Sequence, residues 1–240
     1  MPYSFIDASE YYNSAAGTVL AISSGPQGDL AAVTDGDLIV VCTHLFSGNV
    51  DPGVTITDDI GNTYTEAPTS PNIDVNSGNQ TLRWFYTFSV GGGSNVDVIA
   101  TWGSSQAFKS MAVAQYSGLD AFQIDIGNYQ SNPAATADAV TTGTATPTSQ
   151  PALQFGACWR FDATITNRAA AGTGFTDRVL ASADLAITFE DRRLTATTAV
   201  AATFTRVVVD TDHHTCQMIF TESLIVANTI NLCRPEITVT

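Results

Sequence analysis

Hydrophobic and polar side chains alternate along this chain with a period of two. Residues 81–90 place Leu82, Trp84, Tyr86 and Phe88 on one face and Arg83, Phe85 and Thr87 on the other. Residues 95–102 set Val96, Val98, Ala100 and Trp102 against Asp97, Ile99 and Thr101, and residues 214–222 bring Cys216, Met218 and Phe220 to one side. Short half-buried segments of this kind, rich in Val, Thr, Ile and aromatic residues, predict β-strands. The same reading places strands near 17–22, 37–46, 54–57, 62–66, 108–116, 139–144, 152–159, 174–180, 185–191 and 195–205. Turn markers lie between them: SGNVDPG, DDIGN, NSGNQ, GGGSN and SGLD. No segment keeps a 3.6-residue apolar period for three turns, so the chain is expected to be all-β.

Closely spaced strands joined by Gly/Asn/Asp turns predict an antiparallel sandwich of two sheets. The Thr/Ala-rich stretch from Pro133 to Pro151 has the composition of a linker, yet DAVTTGTAT within it alternates well enough to form a strand. One domain over residues 17–222 is therefore preferred to two of similar size. Residues 1–16 carry Tyr3, Tyr11 and Tyr12 without alternation and read as an N-terminal arm. Residues 223–240 read as a β-capable tail, suited to pairing with another subunit or to completing its own sheet. The strands differ too much from one another to predict a repeat.

Charge changes the picture in one respect. The chain has 23 acidic and 9 basic residues, a formal net charge of −14, and only 13% charged residues in total, about half of the ~25% usual for soluble domains. Lys109 is its one lysine, and 33 threonines fill positions that charged residues take elsewhere. With 44% apolar residues this is not a disordered composition. An acidic surface repels phosphate backbones and anionic lipid, so neither nucleic acid nor membrane is an expected partner. No apolar run approaches the roughly 20 residues of a helical span. The segment MPYSFIDASEYYNSAAG has no basic n-region and no apolar h-region, so no export signal is expected.

The residues able to carry chemistry are few. Cys42, Cys158, Cys216 and Cys233 lack the spacing of a zinc site or a disulfide framework, and the first three lie in apolar segments, reading as small core residues of a chain folded under reducing conditions. No G-x-S-x-G, H-E-x-x-H, Walker or dinucleotide fingerprint occurs. Asp210, Asp212, His213 and His214 have metal-ligand chemistry, but adjacent strand residues point to opposite faces, and a solvated turn is the preferred reading. His44 shares a face with Leu38, Val40 and Cys42 and reads as a core or rim histidine. Asp58, Asp59 and Asn62 could supply oxygens to calcium, although the same residues are what a tight turn needs for itself. Glu190 and Asp191, followed at once by Arg192 and Arg193, read as a locally compensated turn. Trp102 and Trp159 stand near strand ends, where a tryptophan either caps a core or stacks on a sugar ring. No cofactor and no catalytic residue are expected.

The order of segments GDLIVV (36–41), VTITDDIGNTYTEA (54–67), LRWFYTFSV (82–90), GGGSNVDVIATW (91–102), MAVAQYSGLD (111–120), LQFGA (153–157) and GFTDR (174–178) resembles a broad group of jelly-roll-like β-sandwich domains. Members occur in tailed-phage virion proteins, as decoration, head-fibre or tail-associated subunits, and in bacterial surface or secreted proteins. The resemblance implies a jelly-roll-like sandwich and a non-enzymatic structural or attachment role, and it transfers no catalytic residues. On it rests the expectation of a virion subunit made in the host cytoplasm, bound to capsid or tail subunits or to copies of itself. The alternative is a glycan-binding module or adhesin at a cell surface, with Trp102 or Trp159 facing a glycan.

Overall fold

The computed structural model describes residues 3–24, 28–46, 51–67, 72–74, 80–117, 122–132, 139–161, 170–178, 187–205 and 212–222. In chain order the first strands are β1 (Ser4–Asn13), β2 (Gly17–Ala21), β3 (Leu30–Val33), β4 (Leu38–Phe46), β5 (Val54–Asp58) and β6 (Thr65–Glu66). They are followed by β7 (Asn72–Asp74), β8 (Gln80–Phe88), β9 (Gly93–Val96), β10 (Val98–Gln106) and β11 (Lys109–Ser117). The second run comprises β12 (Phe122–Asn132), β13 (Ala139–Thr141), β14 (Ala152–Phe161), β15 (Ala170–Ala171), β16 (Thr176–Asp177), β17 (Ile187–Leu194), β18 (Thr203–Thr205) and β19 (Asp212–Glu222). The strands pair antiparallel, so the expected all-β antiparallel sandwich class is what the chain adopts.

The two runs have the same topology. In the first, the large sheet has the order β1-β11-β4-β8-β6, and a small sheet β2-β10-β5 covers it. In the second, the large sheet is β12-β19-β14-β17-β16 and the small one β13-β18-β15. Position for position, β1, β11, β4, β8 and β6 correspond to β12, β19, β14, β17 and β16. The registers match as well. Leu38 lies opposite Tyr116 as Leu153 lies opposite Phe220, and Asn13 opposite Lys109 as Asn132 opposite His213. An irregularity falls between Phe5 and Asp7 in β1 and between Ile124 and Ile126 in β12, at the same place in each strand. Even one flanking bond recurs: Ala67 N–H donates to Trp84 O, and Arg178 N–H to Phe189 O, each at 2.9 Å. The chain is thus a tandem repeat of topology. Its trace in sequence is Gly61-x-x-Tyr64-Thr65-Glu66 against Gly172-x-x-Phe175-Thr176-Asp177. Of the stretch with linker-like composition, the described residues 139–151 belong to the second repeat and contribute β13.

The large sheets of the repeats pack face to face, with each small sheet outside its own large one, giving four layers. This explains the continuous apolar runs of β4 and β11. Their sheet is covered on both sides, so Leu38, Val40 and Cys42 face the second repeat while Ile39 and Val41 face the small sheet. Between the large sheets lies an aromatic layer of Trp84, Tyr116, Phe155, Phe189 and Phe220. Equivalent positions meet across it. Trp84 contacts Phe189 with ring centroids 5.4 Å apart, and His44 stacks on Trp159 at 3.7 Å and 11°. The contact of Tyr116 with Asp191 has as its counterpart the contact of Phe220 with Tyr86. Such reciprocal pairing is the signature of an approximate twofold axis.

Residues 4–13, expected as an arm outside the sandwich, form β1, an edge strand of the first large sheet. Their alternation is broken by the bulge and by the polar Asp7, Ser9 and Glu10. The sole lysine is structural. Lys109 is buried and donates to Ala15 O at 2.8 Å and Gln106 O at 2.6 Å, tying the end of β10 to the β1–β2 connection. The tail at 223–240 lies outside the described residues.

Candidate functional site

The residues singled out from sequence are drawn into the fold. His44 is buried in the stack with Trp159. Trp102 is 3% exposed in the layer between the first large and small sheets, and Trp159 is 4% exposed in the central layer, so neither presents an open ring face to a sugar. Asp58 holds its own turn: Oδ1 accepts from Asn62 N–H at 2.9 Å, and Oδ2 from Asn62 Nδ2 at 2.8 Å and from the Tyr64 hydroxyl at 3.0 Å. Burial, followed by the Asp58 charge, pushes the Tyr64 hydroxyl far above its ordinary value. Asn62 Oδ1 then accepts from Val90 N–H at 3.0 Å, joining this turn to the connection between β8 and β9. Asp59 turns away to accept from Asp97 N–H at 3.2 Å. The three residues considered for calcium are therefore engaged with the chain's own donors. Among the described residues no group of three or more His, Cys, Asp or Glu is placed to hold a metal ion. His213 and His214 lie in β19 and not in a turn; their side chains and Asp210 fall outside what is described.

The largest departure from the sequence reading concerns Glu190 and Asp191. They are not a locally compensated turn but the middle of β17, 0% and 2% exposed, on opposite faces of the second large sheet. Asp191 enters the central layer, where Oδ2 accepts from the Tyr116 hydroxyl at 2.5 Å and Oδ1 from Arg178 Nε at 2.9 Å. The Arg178 guanidinium in turn lies 4.2 Å over the Phe5 ring, so β1 also bears on this contact. Burial raises the Asp191 carboxyl, opposed by the hydrogen bond from Tyr116 and the charge of Arg178.

Glu190 faces the other way, into the space between the second large sheet and its small one. Here the two repeats differ in kind. Where the first carries Ile39, Val41, Phe85 and Val113, the matching registers of the second carry Gln154, Gly156, Glu190 and Gln217. The polar side chains are buried and mostly bonded to one another and to loop carbonyls. Gln154 Nε2 donates to Gln217 Oε1, and Gln217 Nε2 donates to Gly143 O and, at 3.4 Å, to Val200 O. Arg192 Nε donates to Gln154 Oε1 at 2.7 Å, and its guanidinium lies 4.2 Å over the Phe175 ring. Glu190 Oε2 accepts from Gly172 N–H at 2.8 Å, whereas Oε1 is buried with no hydrogen-bond partner. Gly156, directly opposite Glu190, makes the space: a Cβ there would lie 2.9 Å from Oε1 and 2.7 Å from the Ala202 Cβ.

Burial pushes the Glu190 carboxyl up to about 8, against the pull of the Gly172 amide and Arg192. It is therefore a largely neutral acid at neutral pH, a proton held inside the second repeat. A neutral acid can coexist with the surrounding amides where a lone carboxylate could not. The hydrogen bonds to Gly143 O, Val200 O and Gly172 N–H tie the segments beside the small sheet to the large one. Sequence reasoning missed this arrangement because a charged quartet in mid-strand carries the same polarity signal as a turn. No known family model, curated protein or solved structure matches the chain.

Proposed function

We propose that this chain is a non-enzymatic structural subunit displayed on a phage-like particle, in a decoration, head-fibre or tail-associated position. The observation that supports the reading most is the use to which the fold puts its chemistry-bearing side chains. His44, Asp58, Asn62, Trp102, Trp159 and Asp191 all serve contacts inside a four-layer stack. Two sandwiches locked face to face through an aromatic layer form a stiff slab, the mechanical requirement of a subunit that must hold its shape on a particle surface. The net charge of −14 keeps such an exposed subunit soluble. Its partners on this reading are other virion subunits and copies of itself. Co-sedimentation of the purified chain with particles from its source tests the reading. Saturable binding to assembled particles is expected, and a chain that stays in the supernatant at every concentration rejects it.

A further inference from the structure

The net charge of −14 is not spread over every face of the slab. In the small sheet β2-β10-β5 of the first repeat, Leu20, Ile56, Val98, Ala100 and Trp102 point inward and are buried. The alternate residues point outward, and the registers set them in two rows of three. Ala21, Ile99 and Thr57 form one row, and Val19, Thr101 and Thr55 form the other. All six are exposed or half-buried, Val19 by 50%, and none carries a charge. Asp58 and Asp97, at the end of the sheet where β10 begins, accept hydrogen bonds from Asn62, Tyr64 and Ser23. At the other end, where Gly17 lies opposite Gln106, stands Phe108, 45% exposed and held at a φ of 56°. A bulky side chain is strained in that left-handed region, and such strain clusters at contact sites. Val19 and Phe108 are two of the four exposed large apolar side chains among the described residues, and both fall at this face.

We propose that this face is a self-complementary docking surface for a second copy of the chain, packed small sheet against small sheet. Charge argues for that occupant. Two subunits of net charge −14 repel one another over most approaches, and a face without charge is where they meet at least cost. A twofold contact needs a surface that complements itself. A threonine hydroxyl is donor and acceptor at once, so it pairs with its own kind while its methyl packs beside Val19 and Ile99. Size argues the same way. Three strands about 4.8 Å apart and five residues at about 3.4 Å each give a face of about 14 Å by 17 Å, well below the roughly 800 Å² per partner of a standard interface. Such a contact is too small to hold a separate soluble partner tightly, but it closes between copies already at high local concentration. It is the surface for the self-contact of the structural reading above, and it rests on that reading for the crowding that makes a weak contact effective. The matching face of the second repeat presents Thr141, Thr203 and Thr205, and no large apolar side chain among its described residues.

The test is sedimentation equilibrium of the full chain up to about 1 mM, a range in which a contact of this size associates. The weight-average mass should climb toward twice the monomer value, and more steeply in high salt, which screens the repulsion between acidic subunits. Each variant is first shown to be folded by its thermal transition. Thr101→Lys, in the middle strand of the face, should weaken association by more than about tenfold, because its charge is buried without a partner. Phe108→Gly should weaken it as well, and Thr205→Lys, on the second repeat's face, should leave the mass curve unchanged. A parent chain that stays monomeric in high salt at the highest concentration overturns the proposal, as does association that survives Thr101→Lys or Phe108→Gly or is lost in Thr205→Lys. Co-sedimentation with particles is scored separately. Particle binding by a chain that never self-associates overturns only the self-contact, and self-association by a chain that ignores particles overturns only the placement on a particle.

Discussion

Replacing Glu190 by glutamine tests the account of the polar interior through the pH dependence of stability. The carboxyl has an ordinary value of 4.5 when the chain is unfolded and is raised to about 8 when folded. Between those two values the folded chain binds one more proton at this site than the unfolded chain. Stability from this group is therefore greatest below pH 4.5, falls as pH rises through the window, and levels off above pH 8. The slope is about 1.4 kcal/mol per pH unit, which over the window amounts to on the order of 5 kcal/mol. Glutamine keeps an oxygen for the Gly172 N–H and does not titrate; its amide sets an offset that pH does not change. Urea unfolding of both proteins at pH 5, 6, 7, 8 and 9 isolates the group, since every other titration is common to the two. The stability of Glu190→Gln relative to the parent should rise by about 1.4 kcal/mol per unit between pH 5 and 8 and then flatten. Parallel curves across that range would refute the reasoning.

Three other substitutions probe the packing. Gly156→Ala forces a methyl against Ala202 and Glu190 and should cost about 1–3 kcal/mol in chemical denaturation, with little effect expected if that interior is loosely packed. Tyr116→Phe removes the hydroxyl from a buried Asp191 that keeps Arg178, for an expected loss of about 1–3 kcal/mol, measured at neutral pH. Trp84→Ala empties the centre of the layer between the repeats and should cost about 3–5 kcal/mol; a thermal transition that splits in two would show the repeats uncoupling.

The part of this fold that was legible in sequence is the part with one wet face or one apolar stripe. The inward residues of β8, β10 and β19 (Trp84, Trp102 and Phe220 among them) follow directly from alternation and are buried in the structure. What period-two reasoning does not assign is the partner of each face. In β4 and β11 both faces are covered, so the run Leu38–Cys42 has no polar side from which to tell the layers apart. The repeat was hidden for a related reason. Equivalent core positions hold Phe85 and Glu190, or Val113 and Gln217, and such pairs share neither size nor polarity, while backbone register is conserved. The two candidate sites diverge in the same way. Asp58 and Asn62 were recognisable as turn chemistry because they act within their own turn. Glu190 depends on Gly156, in β14, and on Gly172, just past β15, and neither is its neighbour in sequence.

The structural role itself is best tested by location. Immunogold electron microscopy of lysed source cells, with an antibody raised against the purified chain, should show label on assembled particles at regular positions. Label confined to the cell envelope or to soluble material, with particles bare, would contradict it.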